Sequence, residues 1–213
     1  MKQSPGQPWN TMMQTDEIPI DSADPELAEK LQKEAKAGNA VAQWRLAVGY
    51  LHGLFVEKDE TQFFHWANLA AEQGHKEGCY YLGLAYADGI GAPCNREEAV
   101  KWLVRAAEQN HAQASDCLGL VFMSGEGVLR NPLSAYKWLM WGQLLAKTLS
   151  EPETEFYNMV GVLESIEEQL ESLKEEMTDS QLMQANSLWN NFLTDKLAKI
   201  KNEKLANKKR EKE

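Results

Sequence analysis

An ungapped internal repeat of 36 residues constrains this fold more than any other feature of the sequence. Three blocks align, at residues 38–73, 74–109 and 110–145. Identical or similar residues coincide from block to block: Leu46, Leu82 and Leu118; Gly53, Gly89 and Gly125; Trp66, Trp102 and Trp138; and the aromatic set Tyr50, Tyr86 and Phe122. Self-similarity at such a period predicts stacked structural units, each of which buries its apolar face against the next.

Each block predicts two helices. Apolar and small residues recur at three- and four-residue spacing over residues 40–52 and their equivalents, which indicates one buried helical face. The glycine shared by the blocks ends this first helix, because glycine accepts the left-handed conformation of a C-terminal cap. A short loop then leads to a short polar residue that caps the second helix: Asp59, Asn95 and Asn131.

The resulting pattern is A-x-x-x-L-A/G-x-x-Y-x-x-G, a short loop, Asp or Asn, and A-x-x-W-x-x-x-A-A-x-x-G. It resembles the Sel1-like repeat, a relative of the tetratricopeptide repeat, and the best copy is residues 78–111. The stretch MTDSQLMQANSLWNNF at 177–192 is similar to the closing helix of many bacterial members. The resemblance implies an all-α, right-handed α-α superhelix (solenoid) of Sel1-like helix pairs with a C-terminal helical cap. It also implies protein binding, as an adaptor, scaffold or regulator.

Composition shifts along the chain predict five segments. These are a flexible N-terminal segment (1–22), a leading capping helix (23–37), the three repeats with an extension (38–149), a C-terminal helical hairpin (152–200) and a disordered basic tail (201–213). The hairpin is predicted as helices over 152–177 and 180–200, which cover the last repeat. The tail is interpreted as a solvated helix end, with a contact to anionic lipid or RNA as the alternative.

Two departures from the family pattern matter. The first block has Phe63 where the others have Ala99 and Ala135. Cysteine-rich members join each helix pair by a disulfide, and Cys79 occupies one such position here. Alanines, Ala71 and Ala107, stand where the partner cysteines would be, so the resemblance implies neither the disulfide nor the secreted, enzyme-like activities of that branch.

The charge of the chain narrows the classes of partner. A formal net charge of −10 argues against nucleic-acid binding through the general surface and favours a basic partner. The first 26 residues lack the apolar core of a signal peptide, and no apolar run is long enough to span a membrane. We therefore expect a cytoplasmic protein, or a periplasmic one if a leader has been removed.

Catalytic and metal-binding motifs are missing from the sequence. It has no C-x-x-C, H-E-x-x-H or glycine-rich phosphate loop. His75 and His111, one period apart, are interpreted as structural turn positions. We expect no catalytic residue, cofactor or metal, and keep a hydrolase that uses Cys94 or His52 as a contrary hypothesis. A homo-oligomer of purely structural role is a third hypothesis.

The candidate binding surface lies on the first helices, which line the concave face in related superhelices. If Leu46, Ala47 and Tyr50 are in the core, the opposite face carries the predicted partner-binding residues: Val41, Trp44, Val48, Leu51, His52, Glu77, Tyr80, Leu84, Asp88, Gln113, Asp116, Leu120, Met123 and Ser124. An exposed apolar and aromatic stripe of this kind suggests protein docking. The alternative is that residues 1–25 or the C-terminal helices cover it. The function predicted is a non-enzymatic interaction module; the narrower alternative is an immunity protein that neutralises a secreted bacterial toxin.

Overall fold

The computed structural model describes residues 25–148 and 162–210, and these residues form helices and no strands. Nine helices are present in these two ranges: α1 (Pro25–Lys36), α2 (Ala40–His52), α3 (Glu60–Glu72), α4 (Lys76–Asp88), α5 (Arg96–Glu108), α6 (Ala112–Ser124), α7 (Pro132–Thr148), α8 (Val162–Glu176) and α9 (Asp179–Arg210). The all-α prediction is confirmed.

The repeated polar and glycine residues set the helix ends, as the sequence predicts. Gly53, Gly89 and Gly125 follow the three first helices with φ of 67°, 73° and 75°, the left-handed region in which other residues are strained. The second helices begin at short polar caps. Asp59 Oδ1 accepts from the backbone N–H groups of Thr61 at 2.9 Å and Gln62 at 3.0 Å. The amide oxygens of Asn95 and Asn131 likewise accept from the backbone N–H three residues later.

In the second and third repeats, a glycine of the first helix and a leucine of the second helix set how closely the two helices pack. A Cβ atom added at Gly83 would lie 2.9 Å from Leu103 Cγ, and one at Gly119 would lie 2.4 Å from Leu139 Cδ2. The first repeat has alanine at both equivalent positions, Ala47 and Ala67. Its second helix instead carries the fully buried Phe63, where the other two repeats have Ala99 and Ala135.

The loop of each later repeat rests on the repeat before it. A Cβ atom added at Gly91 would lie 2.0 Å from the backbone oxygen of Glu60, and one at Gly127 would lie 2.3 Å from Cβ of Arg96. Glu60 and Arg96, the first residues of α3 and α5, are themselves 36 residues apart. These contacts fix the register between repeats. The first repeat has Phe55 instead of glycine, and its ring packs on Gly49 of its own first helix.

The C-terminal helices close the array. Helices α8 and α9 both contact α7, and Trp138, Trp141, Trp189 and Phe192 form an aromatic cluster between α7 and α9. A capping box starts α9, since Thr178 Oγ1 accepts from Gln181 N at 3.3 Å and Gln181 Oε1 accepts from Thr178 N at 3.0 Å.

Three parts of the prediction differ from the structure or lie outside it. Disorder was expected from residue 201, whereas α9 continues to Arg210 because this stretch contains no glycine or proline and is rich in good helix formers. The repeat aligns Trp102 with Trp66 and Trp138, which are buried, and so predicts a buried Trp102. The structure has it only partly buried, with the guanidinium carbon of Arg105 4.4 Å from its ring centroid. The predicted segment 1–22, and the part of the 152–177 helix before Val162, lie outside the described residues.

Candidate functional site: the face of the first helices

We use the name first-helix face for the fourteen predicted partner-binding side chains, which lie on α2, α4 and α6. The structure divides them into three groups. Exposed side chains are Val41, His52 and Ser124. Partly buried side chains are Trp44, Glu77, Asp88, Gln113, Asp116, Leu120 and Met123. Fully buried side chains are Val48, Leu51, Tyr80 and Leu84.

The expectation of one continuous exposed apolar stripe is wrong. Val48, Leu51, Tyr80 and Leu84 belong to the same hydrophobic core as the residues of the second helices. The physical reason is that successive first helices approach each other: α2 contacts α4 as well as its own partner α3. Side chains that point between two first helices are therefore removed from solvent. The exposed and partly buried members remain the candidate binding surface.

Aromatic–histidine stacks join one first helix to the next along this face. The Trp44 and His75 rings stack with centroids 5.4 Å apart and planes inclined by 26°. One repeat further on, Tyr80 and His111 stack at 4.4 Å and 23°. In both pairs the histidine lies 31 residues after the aromatic residue, so the contact repeats with the sequence.

The two histidines also cap the helices that they precede. His75 Nδ1 accepts from the Gly78 N–H, and His111 Nδ1 accepts from the Ala114 N–H, both at 3.3 Å. The prediction that they are structural turn residues is confirmed. Their equivalent in the first repeat, Asn39, caps α2 through its side-chain oxygen at 3.0 Å from Val41 N. Sequence reasoning missed the stacking, although the constant separation of 31 residues was a signal for it.

Burial holds His111 neutral. It lowers the pKa of His111 from 6.5 to about 3, with a smaller contribution from the positive charge of Lys76. Burial also lowers the pKa of His75, and the nearby Glu77 carboxylate opposes that shift. Both rings therefore favour the neutral form that stacking and capping require.

Asp116 occupies the position held by Trp44 and Tyr80 in the earlier repeats. The side chain is partly buried, and its Oδ1 atom is shielded from solvent and has no hydrogen-bond partner among the described residues. Burial raises the pKa of this carboxyl from 3.8 to about 7. Burial also raises the pKa of Asp88 on the same face, against the opposing charge of Arg96.

The described residues offer little for catalysis or metal binding. Within 25–148 and 162–210, no three His, Cys, Asp or Glu side chains are grouped as a metal site would need. Cys79 and Cys117 are buried thiols whose pKa values burial raises, which disfavours the reactive thiolate. No helix in these ranges combines the length and the apolar character of a membrane span.

Comparison with known proteins agrees with this architecture. The family model for the Sel1 repeat matches residues 40–75, 76–111 and 118–139. One similar solved structure is that of c5321, a protective antigen present in uropathogenic Escherichia coli strains, which displays an SLR fold. It is 35% identical over 56% of this chain, with a TM-score of 0.54, and the match covers 26% of that protein's length.

A second similar structure is a Sel1 repeat protein from Oxalobacter formigenes. It is 27% identical, the match covers 65% of this chain and 70% of that one, and the TM-score is 0.49. Among proteins with a curated function, none matches. Sel1 repeats are generally protein-interaction modules without catalysis of their own. The matches to the family model place Sel1 repeats at residues 40–75, 76–111 and 118–139 of the helical solenoid.

Proposed function

We propose that this chain is a non-enzymatic interaction module that binds a partner protein on the first-helix face. The supporting observation is where the repeats differ. Leu46, Leu82 and Leu118, which are identical in all three repeats, are buried. Three positions of the first-helix face change chemistry from repeat to repeat: 41, 77 and 113 hold Val, Glu and Gln; 44, 80 and 116 hold Trp, Tyr and Asp; 52, 88 and 124 hold His, Asp and Ser.

These variable positions reach the surface, with Tyr80 as the exception. Val41 is 45% exposed, and Trp44 is a partly buried aromatic residue whose Nε1–H is shielded from solvent and has no acceptor among the described residues. Tryptophan is among the residue types that most often anchor protein interfaces, and the Trp44 side chain is only partly buried. Residues that differ between otherwise equivalent units provide specificity without changing the scaffold.

The charge of the chain restricts the partner. A net charge of −10, together with Glu77, Asp88 and Asp116 on the face itself, favours a partner with a basic surface. The narrower hypothesis, that the chain is an immunity or inhibitory protein for a secreted bacterial toxin, rests on this acidity and on the habits of the family. It stays a prediction.

Replacing Trp44 by alanine is expected to weaken partner binding by about thirtyfold or more, because the loss of an interface anchor costs about 2 kcal/mol. The protein would be used to capture partners from a bacterial extract, and each captured protein would then be titrated against purified variants. Leu129→Ala is the matched control, because Leu129 is 90% exposed and lies in the α6–α7 loop, away from the face. Equal binding by Trp44→Ala and Leu129→Ala, with both variants folded, would show that the face is not the binding site.

A further inference from the structure

We propose that the first-helix face binds a partner segment that places a lysine or arginine side chain against Asp116. This inference rests on the proposed function and specifies its partner chemically. It depends on the missing hydrogen-bond partner of Asp116, on the charged groups near this carboxylate and on the apolar side chains beside it.

The protein itself provides no partner for Asp116 Oδ1 within the described residues. Buried polar atoms in folded proteins are nearly always hydrogen-bonded, and those that are not require an explanation. In the first two repeats, the residue at this position stacks on the side chain 31 residues later. The same separation from Asp116 leads to Lys147, which is exposed and donates to Glu167 Oε1 of α8 at 2.9 Å instead.

The nearby charges make a cation the complementary ligand. Two further carboxylates, Glu77 and Asp88, share the face. Glu77 already has Lys76 Nζ at 3.4 Å, whereas Asp116 has no such neighbour among the ion pairs of the described residues. The Asp116 side chain is only partly buried, so a charged donor can reach its carboxylate, and hydrogen bonds between charged groups are the strong ones. A metal ion does not fit, because the described residues do not group three ligating side chains anywhere.

The side chains around Asp116 suit a basic side chain on a polypeptide. Leu120 and Met123 follow Asp116 at four and seven residues on α6, so all three lie on one side of that helix, and both apolar side chains are partly buried. They can pack against the aliphatic stem of a lysine or arginine.

Peptide selection on the full-length protein tests this inference. Twelve-residue random peptides displayed on phage would be selected, and the enriched sequences synthesised and titrated. We expect a lysine or arginine at a fixed position in these peptides. Asp116→Asn should weaken their binding by about thirtyfold, and glutamine in place of the basic peptide residue should do the same. The two changes together should cost no more than either alone, because they remove one interaction.

The matched control is Glu175→Gln, which removes the same charge from an exposed position on α8 and should leave affinity unchanged. If Trp44→Ala abolishes binding while Asp116→Asn and the peptide substitution have no effect, the role of Asp116 is wrong and the proposed function stands. If no peptide is enriched, or if the enriched peptides share no basic residue, the inference about Asp116 is wrong. If neither Trp44→Ala nor Asp116→Asn weakens binding, both the inference and the proposed function are wrong. If Asp116→Asn fails to fold, the peptide in which glutamine replaces the basic residue still tests the interaction on the unmodified protein.

Discussion

Replacing Leu103 by alanine is expected to lower the free energy of unfolding by about 3 kcal/mol. The side chain of Leu103 is fully buried, and its removal leaves a cavity beside Gly83, since neighbouring helices cannot fully collapse into the space. Urea unfolding followed by tryptophan fluorescence and circular dichroism measures the change. Leu129→Ala, the same substitution at a 90% exposed site, should change stability by less than about 0.5 kcal/mol.

A second substitution, Gly83→Ala, changes the residue that packs against Leu103 and tests whether the two positions share one space. Alone it should cost about 1 kcal/mol, because the new Cβ atom would lie 2.9 Å from Leu103 Cγ and 3.2 Å from the Ala99 carbonyl oxygen, while alanine favours the helix. The double variant restores the Ala–Ala combination of the first repeat, at Ala47 and Ala67. Its cost should therefore be smaller than the sum of the single costs by about 1 kcal/mol. Strict additivity would mean that the two positions do not share one packing space.

The scaffold was predictable because its determinants are local and repeated. Gly53 ends α2, and Asp59 starts α3 by a hydrogen bond to a residue two positions away. Interactions over so few residues leave a direct pattern in the sequence. Three copies of that pattern then define the solenoid, because units with the same apolar faces stack in the same way.

The binding face was predicted less well because burial there depends on the distance between repeats. Periodicity within one block predicts that Tyr80 and Leu84 lie opposite the core of their own helix pair. Both are instead buried in the common core, and Tyr80 stacks on His111 of the next repeat, a contact that no single block encodes. Asp116 makes no stack because the third repeat differs from the other two. It has neither an aromatic residue at this position nor a histidine 31 residues later.

The stability of the protein in acid provides a further test of this face. Protonation of His111 and of Asp116 should change the free energy of unfolding in opposite directions. The pKa of His111 is about 3 when folded and 6.5 ordinarily, so between these values the unfolded chain binds a proton that the folded one does not. Acidification from pH 7 to pH 4 should therefore lower the free energy of unfolding through His111 by about 3 kcal/mol.

Asp116 has the reverse linkage. Its pKa is about 7 when folded and 3.8 ordinarily, so the folded state binds the extra proton and gains stability as the pH falls from 7 towards 4, again by about 3 kcal/mol. In the natural protein the two contributions offset each other. A substitution that removes one of the two groups should uncover the contribution of the other. The two single variants should therefore change the slope of unfolding free energy against pH in opposite directions.

His111→Asn should thus make the protein relatively more stable at pH 4 than at pH 7. Asparagine keeps the cap, as Asn39 does in the first repeat, and cannot be protonated in this range. Asp116→Asn should raise stability at pH 7 and bring little gain at pH 4, and the double variant should regain a flat profile. Urea unfolding at pH 7, 5.5 and 4 measures all four proteins, and slopes of the same sign in the single variants would contradict the argument. A gain in stability on removing Asp116, joined to a loss of peptide binding, would show that its carboxylate is kept for binding at a cost to the fold.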